Sequence, residues 1–425
     1  MVAHAQKAGP VWAQSCQTAI LSGTDSKGGW RLNKSSLAFL VVLPLLFLGG
    51  CWSSVEINDR AFVRMMVLDK SEEGIELTLS LPLPSRLIPG QSGGTGNQNG
   101  KPYTFVTRTG RTIGEAFRLI QSDLSRKITF GQTSAVVIGS NLAKEGILPI
   151  LEFIAREPRF HINSNLFVIQ GKAIDITRAP TILERFPTEI LLNYMKEAII
   201  VKTNTNDALM ATHYGGDMIL PLLKMERKSI PSEKGENLWL QTAGGAFFKQ
   251  GRLAGLLDIH QMRGALWILG QLDTAVITVK SEKANRYVNY MVKRLNTRIE
   301  PVVHGDQIAV VIRTKATASL ISSDAEVDPL DPHEQKRMEK KLKAKVNEGI
   351  MQAIELARKA DSDAYQISSH LDWTHPKLWK EKAPRWREIY RNQIKFLPQA
   401  EISINRVGAI KQPVRIHSME TEGDK

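Results

Sequence analysis

The residue with the clearest chemical assignment is Cys51, which closes the run Leu48-Gly49-Gly50-Cys51. A thiol placed directly after two glycines, at the end of an apolar stretch, has the pattern of a lipobox. Small residues let a peptidase grip an extended backbone, and the thiol is then the thioether acceptor for diacylglycerol. Upstream, Arg31 and Lys34 supply a positive segment, and Leu37 to Leu48 (LAFLVVLPLLFL) an uncharged apolar one of signal-peptide length. That stretch is short for a membrane span, which needs about 20 apolar residues. Residues 1–50 are therefore expected to be an export signal, with acyl chains on Cys51 holding the chain to a membrane at about 0.8 kcal/mol per buried CH₂. A plain signal peptide and an uncleaved anchor are the alternatives. Residues 1–30 are long and polar for the start of such a signal; a translation start nearer Arg31 is one explanation.

The other reactive side chains form no constellation. Cys16 is the second of only two cysteines and lies inside the export segment, so the processed chain has no disulfide and no free thiol. Thiol catalysis and cysteine-ligated metal are thereby excluded. Gly90-Gln91-Ser92-Gly93-Gly94 matches the hydrolase elbow G-x-S-x-G, but that motif needs a strand-to-helix turn to expose the serine. Here more Gly and Asn follow, so a surface loop over Ser85–Lys101 is expected. The same glycines lack the spacing and the following helix of a nucleotide fingerprint. The nine histidines are scattered. His370 and His375 flank Trp373 at a spacing that suits no standard ligand pair, and His161 and His213 stand alone. Asp361 and Asp363 fall at a predicted helix start, where carboxylates stabilise the helix dipole. Trp379, Trp386 and Tyr390 could form an exposed recognition surface, since aromatics anchor interfaces; their helical spacing also suits core packing. No metal site and no cofactor is implied.

These residues sit in a chain of 425 residues, long enough for two or three domains. Hydrophobic residues make up 42% and charged residues 23%, the proportions of a folded protein. The net charge is +13; residues 1–50 carry Lys7, Lys27, Arg31 and Lys34 against Asp25, so most of the excess lies in the mature chain. A basic exterior suits anionic headgroups or polymers. Nucleic acid is not expected, because the basic residues are interspersed with acidic ones and no nucleic-acid motif occurs.

Alternation at Ile75, Leu77, Leu79 and Leu81 predicts a strand, pairing with Ala61–Asp69 across a turn at Ser71–Gly74. A capping box at Thr112-Ile113-Gly114-Glu115 opens a helix with Ile113, Phe117, Ile120 and Leu124 on one face. Strands at Ser134–Ile138 and Asn165–Ile169 and helices at Leu142–Ala155, Pro187–Val201 and Asn206–His213 predict helices packed on a sheet. The polar run Met225–Asn237 (MERKSIPSEKGEN) reads as a linker. Beyond it come a hairpin (Thr242–Phe248, Arg252–Leu257), a helix (Ile259–Leu269), an antiparallel meander (Ala275–Val279, Arg286–Arg294, Ile308–Thr317) and a last strand at Glu401–Arg406. The clearest helix starts at Asp331, an N-cap followed by Pro332 and Glu334. Met338, Leu342, Val346, Ile350 and Ile354 mark its apolar face, against a Lys-rich opposite face. That face either lies on the sheet of the second domain or touches lipid. The expected layout is a signal at 1–50, an N-terminal domain at 51–224, as one unit or split in two, a linker at 225–237, a C-terminal domain at 238–411 and a loose tail at 412–425. The fold class is a mixed α/β (α+β) one, multi-domain, with mixed sheets flanked by helices.

Three stretches together resemble the Ger(x)C family of spore germination proteins. The first is Cys51-Trp52 followed by Glu56-Ile57-Asn58-Asp59 and Ala61-Phe62-Val63, similar to a C-W-x-x-x-E-[IL]-[ND] opening. The second is Ala243 to Gly270, AGGAFFKQGRLAGLLDIHQMRGALWILG, in which Gln250-Gly251 replaces a usual charged turn and Gln261 stands where an acidic residue is common. The third is Asp361 to Gly408, with Asp363, Tyr365, Trp379, Lys382, Trp386, Tyr390 and Phe396 in the family order. The resemblance implies the C subunit of a nutrient germinant receptor: a non-catalytic, multi-domain α/β lipoprotein on the outer face of the inner spore membrane. Its implied partners are two integral-membrane subunits, A and B. A solute-binding lipoprotein of a transporter is the alternative, and an extracytoplasmic cell-wall enzyme has the least support among the residues.

Overall fold

The computed structural model describes residues 56–86, 101–229, 236–281, 286–323 and 331–406. Cys51, Leu48, Gly49 and Gly50, the glycine-rich run at 90–94 and the tail at 412–425 lie outside the described residues. Ile57–Lys425 forms one compact unit. In chain order its elements are β1 (Arg60–Phe62), β2 (Met65–Ser71), β3 (Gly74–Pro82), β4 (Tyr103–Gly110), α1 (Ile113–Ser122), β5 (Lys127–Thr129), β6 (Ala135–Gly139), α2 (Ser140–Glu145), α3 (Leu148–Arg156) and β7 (Asn165–Ile169). Then follow α4 (Pro187–Lys196), α5 (Thr205–His213), β8 (Met218–Ser229), β9 (Glu236–Lys249), β10 (Arg252–Leu257), α6 (Ile259–Leu269) and β11 (Thr274–Lys280). The chain continues with β12 (Tyr287–His304), β13 (Gln307–Ser323), α7 (Pro332–Lys359), α8 (Ile367–Thr374), α9 (Pro376–Lys382), α10 (Trp386–Asn392) and β14 (Lys395–Arg406).

The strands form an eight-stranded sheet of order β10-β9-β8-β7-β6-β2-β3-β4, a four-stranded sheet of order β11-β12-β13-β14, and the parallel pair β1-β5. In the large sheet β2, β6, β7 and β8 run parallel and the outer pairs are antiparallel. Continuous apolar runs explain the parallel centre. Met65–Leu68, Ala135–Ile138 and Leu166–Ile169 are buried on both faces, as strands covered by helices on each side must be. One face packs on α1, α2, α3 and α5, the other on the segment around Ala173–Ile200. In the small sheet β11 alternates buried and exposed residues, so one face meets solvent. The expected antiparallel meander is β11–β13, and β14 adds in parallel through the long helical crossover.

Helix α7 settles its own two readings. Met338, Leu342, Val346, Ile350 and Ile354 are all buried in the core that it shares with the small sheet and α6, so its apolar face is not available to lipid. Asp331 caps it by accepting the His333 N–H. The 225–237 linker is a correction. Met225–Ser229 ends β8 and Glu236–Asn237 begins β9, and the two strands pair antiparallel, Ser229 opposite Glu236. The polar composition there marks the solvent-exposed end of a hairpin, and β9 and β10 complete the sheet begun by the N-terminal half. The helix expected at 142–155 breaks in two at Gly146, whose φ of +134° admits only glycine readily. The α1 box is also altered: Thr112 accepts the Glu115 N–H, but the Glu115 carboxylate reaches back to the Arg111 N–H.

Helices α6 and α7 cross at closest approach through Gly264. A Cβ there would lie 2.2 Å from the Gly349 carbonyl oxygen and 2.9 Å from the Ala353 Cβ. Alanine would gain about 1 kcal/mol in helix propensity, but the backbone carbonyl cannot move without separating the helices, and overpacking costs about 1–3 kcal/mol. Gly264→Ala is therefore expected to destabilise the chain in spite of its better propensity. A chemical denaturation midpoint at or above the wild-type value would contradict this packing.

Candidate functional site

The polar residues of the chain converge where the start of β8, the β9–β10 turn, the segment after α7 and α10 meet. Asp217 stands just before β8 and is almost fully buried. A buried carboxylate is costly unless its lone pairs are filled, and here four donors fill them. Its Oδ1 accepts the Gln250 N–H at 2.9 Å and Arg387 Nη2 at 3.2 Å; its Oδ2 accepts the Asp363 N–H at 2.9 Å and Arg387 Nη1 at 3.1 Å. Arg387 engages the carboxylate with both terminal nitrogens, the fork geometry that only arginine offers. Nη1 also donates to the Asp361 carbonyl. Around this pair, Ser362 Oγ donates to the Phe248 carbonyl at 2.7 Å, Lys249 Nζ pairs with Asp361 Oδ2 at 2.6 Å, and Gln366 Nε2 donates to the Asp217 carbonyl.

Asp363 makes the second half of the node. Its Oδ1 accepts the Ile367 N–H at 2.9 Å, and its Oδ2 accepts the Ser368 N–H at 2.8 Å and Trp386 Nε1 at 3.0 Å. It thus holds the first turn of α8, as a carboxylate near a helix start should, and it satisfies the one polar atom of the buried Trp386. Burial outweighs these bonds and raises its pKa to about 6. The backbone is bent to bring the groups together. Among the described residues four non-glycines have positive φ, and three of them (Gln250, Asp361 and Gln366) are members of this cluster. Such strain persists only where surrounding contacts over-determine it.

Of the three aromatics considered as a recognition surface, Trp386 and Tyr390 are buried in the core, which corrects that reading for both. Tyr390 packs edge-on to Phe396, and Trp386 lies edge-on to Trp379 at 5.3 Å. Trp379 is half-buried and also meets Tyr214. Trp373 is more exposed than any of these three, with 68% of its surface free. It sits beside His370 at the rim of a cleft of about 720 Å³ between Lys202–Ile219, the end of α6, β12 and α8. Burial lowers the His370 pKa. Tyr214 separates this cleft from a second one of about 340 Å³ over the Asp217–Arg387 pair, and it donates to Asp372 at 3.1 Å. His161 and His213 are exposed. Among the described residues no group of three or more His, Cys, Asp and Glu is placed to hold a metal.

Chemically the node is a clamp. The lone pairs of Asp217 and Asp363 are occupied by donors that also fix the backbone at the β9–β10 turn and at the start of α8. Sequence reasoning missed Asp217 and Arg387, 170 residues apart. The only local signal was Gly215-Gly216 before Asp217, a break that lets the chain turn into β8.

Two predictions follow from the clamp. Arg387→Ala leaves the buried Asp217 charge unpaired and is expected to cost about 3–5 kcal/mol, read as a lowered denaturation midpoint; a change under about 1 kcal/mol would contradict the assignment. For Asp363 the folded pKa is raised above the ordinary 3.8. The folded chain therefore binds a proton that the unfolded chain has lost. This stabilisation is fully present below about pH 4, is lost as pH rises to about 6, and amounts to about 3 kcal/mol. In Asp363→Asn, which cannot titrate, the stability should fall less over that interval than in the wild type, as measured by urea unfolding at each pH.

Comparison with known proteins agrees with this architecture. Residues 53–225 match the family described as spore germination protein N-terminal domain, and residues 243–408 match the family described as spore germination B3/GerAC like, C-terminal. The chain is 24% identical to spore germination protein KC of Bacillus subtilis (strain 168), over 90% of this chain and 98% of that protein. It is 24% identical to spore germination protein B3 of the same organism, over 84% of this chain and 93% of that one. A crystal structure of the GerBC protein shares the fold with a TM-score of 0.51 at 17% identity, covering 80% of this chain and 98% of that one. With both halves matched in order, the chain belongs to the Ger(x)C family of spore germination proteins.

Proposed function

We propose that this chain is the membrane-anchored lipoprotein subunit of a spore nutrient germinant receptor. It acts without catalysis on the outer face of the inner spore membrane, beside the integral-membrane A and B subunits. The observation that carries the reading is the ordered match of 53–225 and 243–408 to the two spore germination domains, directly behind the lipobox ending at Cys51. Two features are consistent with it. The carboxylates of the polar node are committed to backbone and arginine donors, which suits a scaffold better than an active site. No helix among the described residues is long and apolar enough to cross a membrane, so an acyl anchor at Cys51 would supply the attachment. A solute-binding lipoprotein would usually show two similar lobes, whereas the two sheets here differ in strand number and order.

Deleting the gene together with its close relatives should abolish the response of spores to nutrients and leave sporulation normal. An unchanged nutrient response in that strain refutes the receptor role. In Cys51→Ala the chain should stay unacylated and leave the membrane fraction; retention there with full function would refute a sole lipid anchor.

A further inference from the structure

One end of the large sheet combines features that the clamp does not use. The parallel strands β2, β6 and β7 all begin there, and β3 ends and β4 begins there, Pro82 opposite Tyr103. The chain reaches this end from its N-terminus through β1, which pairs Arg60 with Lys127. Packed against the same end is the segment before α4. The Arg64 guanidinium lies over the Phe186 ring, Phe186 packs on Tyr103, and Tyr103 OH is 3.5 Å from Thr181 Oγ1. The next two residues, Ile182 and Leu183, project into solvent, with 44% and 88% of their surface free. Two adjacent apolar side chains at such exposure, next to a buried aromatic pair, contribute nothing to this core.

Three cations share this end of the sheet. Arg86 donates to the Lys101 carbonyl, the Lys101 ammonium lies over the Tyr103 ring, and Arg185 is exposed two residues beyond Leu183. The neighbouring Glu189 carboxylate is turned inward onto the Arg185 and Phe186 N–H groups. Glu184, between Leu183 and Arg185, accepts from Asn193 Nδ2. Apolar tips with Lys and Arg on the same end match a bilayer with anionic headgroups, in which the apolar side chains enter the acyl boundary and the cations meet phosphate. Position agrees with chemistry. Only five residues separate Cys51 from Ile57 in the sequence, and the chain from Ile57 enters this end through β1.

We propose that Ile182 and Leu183, with Arg86, Lys101 and Arg185 on the same end, form a membrane-docking face that seats the sheet end on anionic lipid. The face would fix the orientation of a module that acyl chains alone leave free to swivel. The proposal rests on the lipid-anchor reading for the chain's approach to the membrane.

The test uses the full chain in native membranes, with the photo-cross-linking residue benzoylphenylalanine at position 183 or, as the control, at position 73. Glu73 is exposed in the β2–β3 turn at the opposite end of the sheet. Lipid adducts are expected at 183 and not at 73, with the yield at 183 falling about tenfold or more when Arg86, Lys101 and Arg185 are changed to Glu. Adducts at 183 to protein instead of lipid would overturn the proposal in favour of a protein interface, and so would equal yields at 183 and 73. The mass of the N-terminal peptide reads acylation of Cys51 on the same sample. An acylated chain without lipid adducts at 183 overturns the face and leaves the anchor. An unacylated chain with them does the reverse, and an unacylated chain without them overturns both.

Discussion

The architecture turns on one buried carboxylate. Asp217 receives donors from the β9–β10 turn, from the segment after α7 and from α10, so three distant stretches of chain share a single pair of oxygens. In a low-dielectric interior such a charge is tolerable only when every lone pair is filled. The consequence is positional: the turn, the helix start and the arginine can each occupy one place. The left-handed backbone at Gln250, Asp361 and Gln366 is the conformational cost of meeting that requirement.

Three apolar clusters lie around this frame, one on each face of the large sheet and one beneath the small sheet. The parallel centre of the large sheet is covered on both faces and has no route to solvent, which accounts for its unbroken Val, Ile, Leu and Met runs. The small sheet is covered on one face only, by α6 and α7, and these helices reach back to Phe247, Leu257 and Ile219 of the large sheet. The C-terminal half is therefore not an appended module. It finishes a sheet that the N-terminal half began, and the clamp sits where the two contributions join.

A cleft of about 720 Å³ lies along the joint, lined by residues of both halves, with Trp373 and Met210 exposed at its rim. The end of the sheet that carries the exposed Ile182 and Leu183 is the one that the chain enters through β1.

Local chemistry in the sequence determined a good part of this. Period-two alternation located β3, and i, i+4 spacing located α7 and its buried face. In β3 the alternation predicts one buried face, but Thr78 and Ser80 of the other face are buried too, because the strand lies inside the eight-stranded sheet. The order of motifs was enough to indicate the family, and the carboxylate role expected for Asp363 is the one it has. Tertiary structure decided the rest. Met225–Asn237 reads as a linker because exposed hairpin ends and linkers share a polar composition; only the pairing of β8 with β9 tells them apart. Trp386 and Tyr390 could have faced outward by spacing alone; the fold packs both into the core around the small sheet and satisfies Trp386 Nε1 with Asp363. The Asp217–Arg387 pair left almost no trace in the sequence, because a contact between residues 170 positions apart is created by the fold and has no local period to announce it.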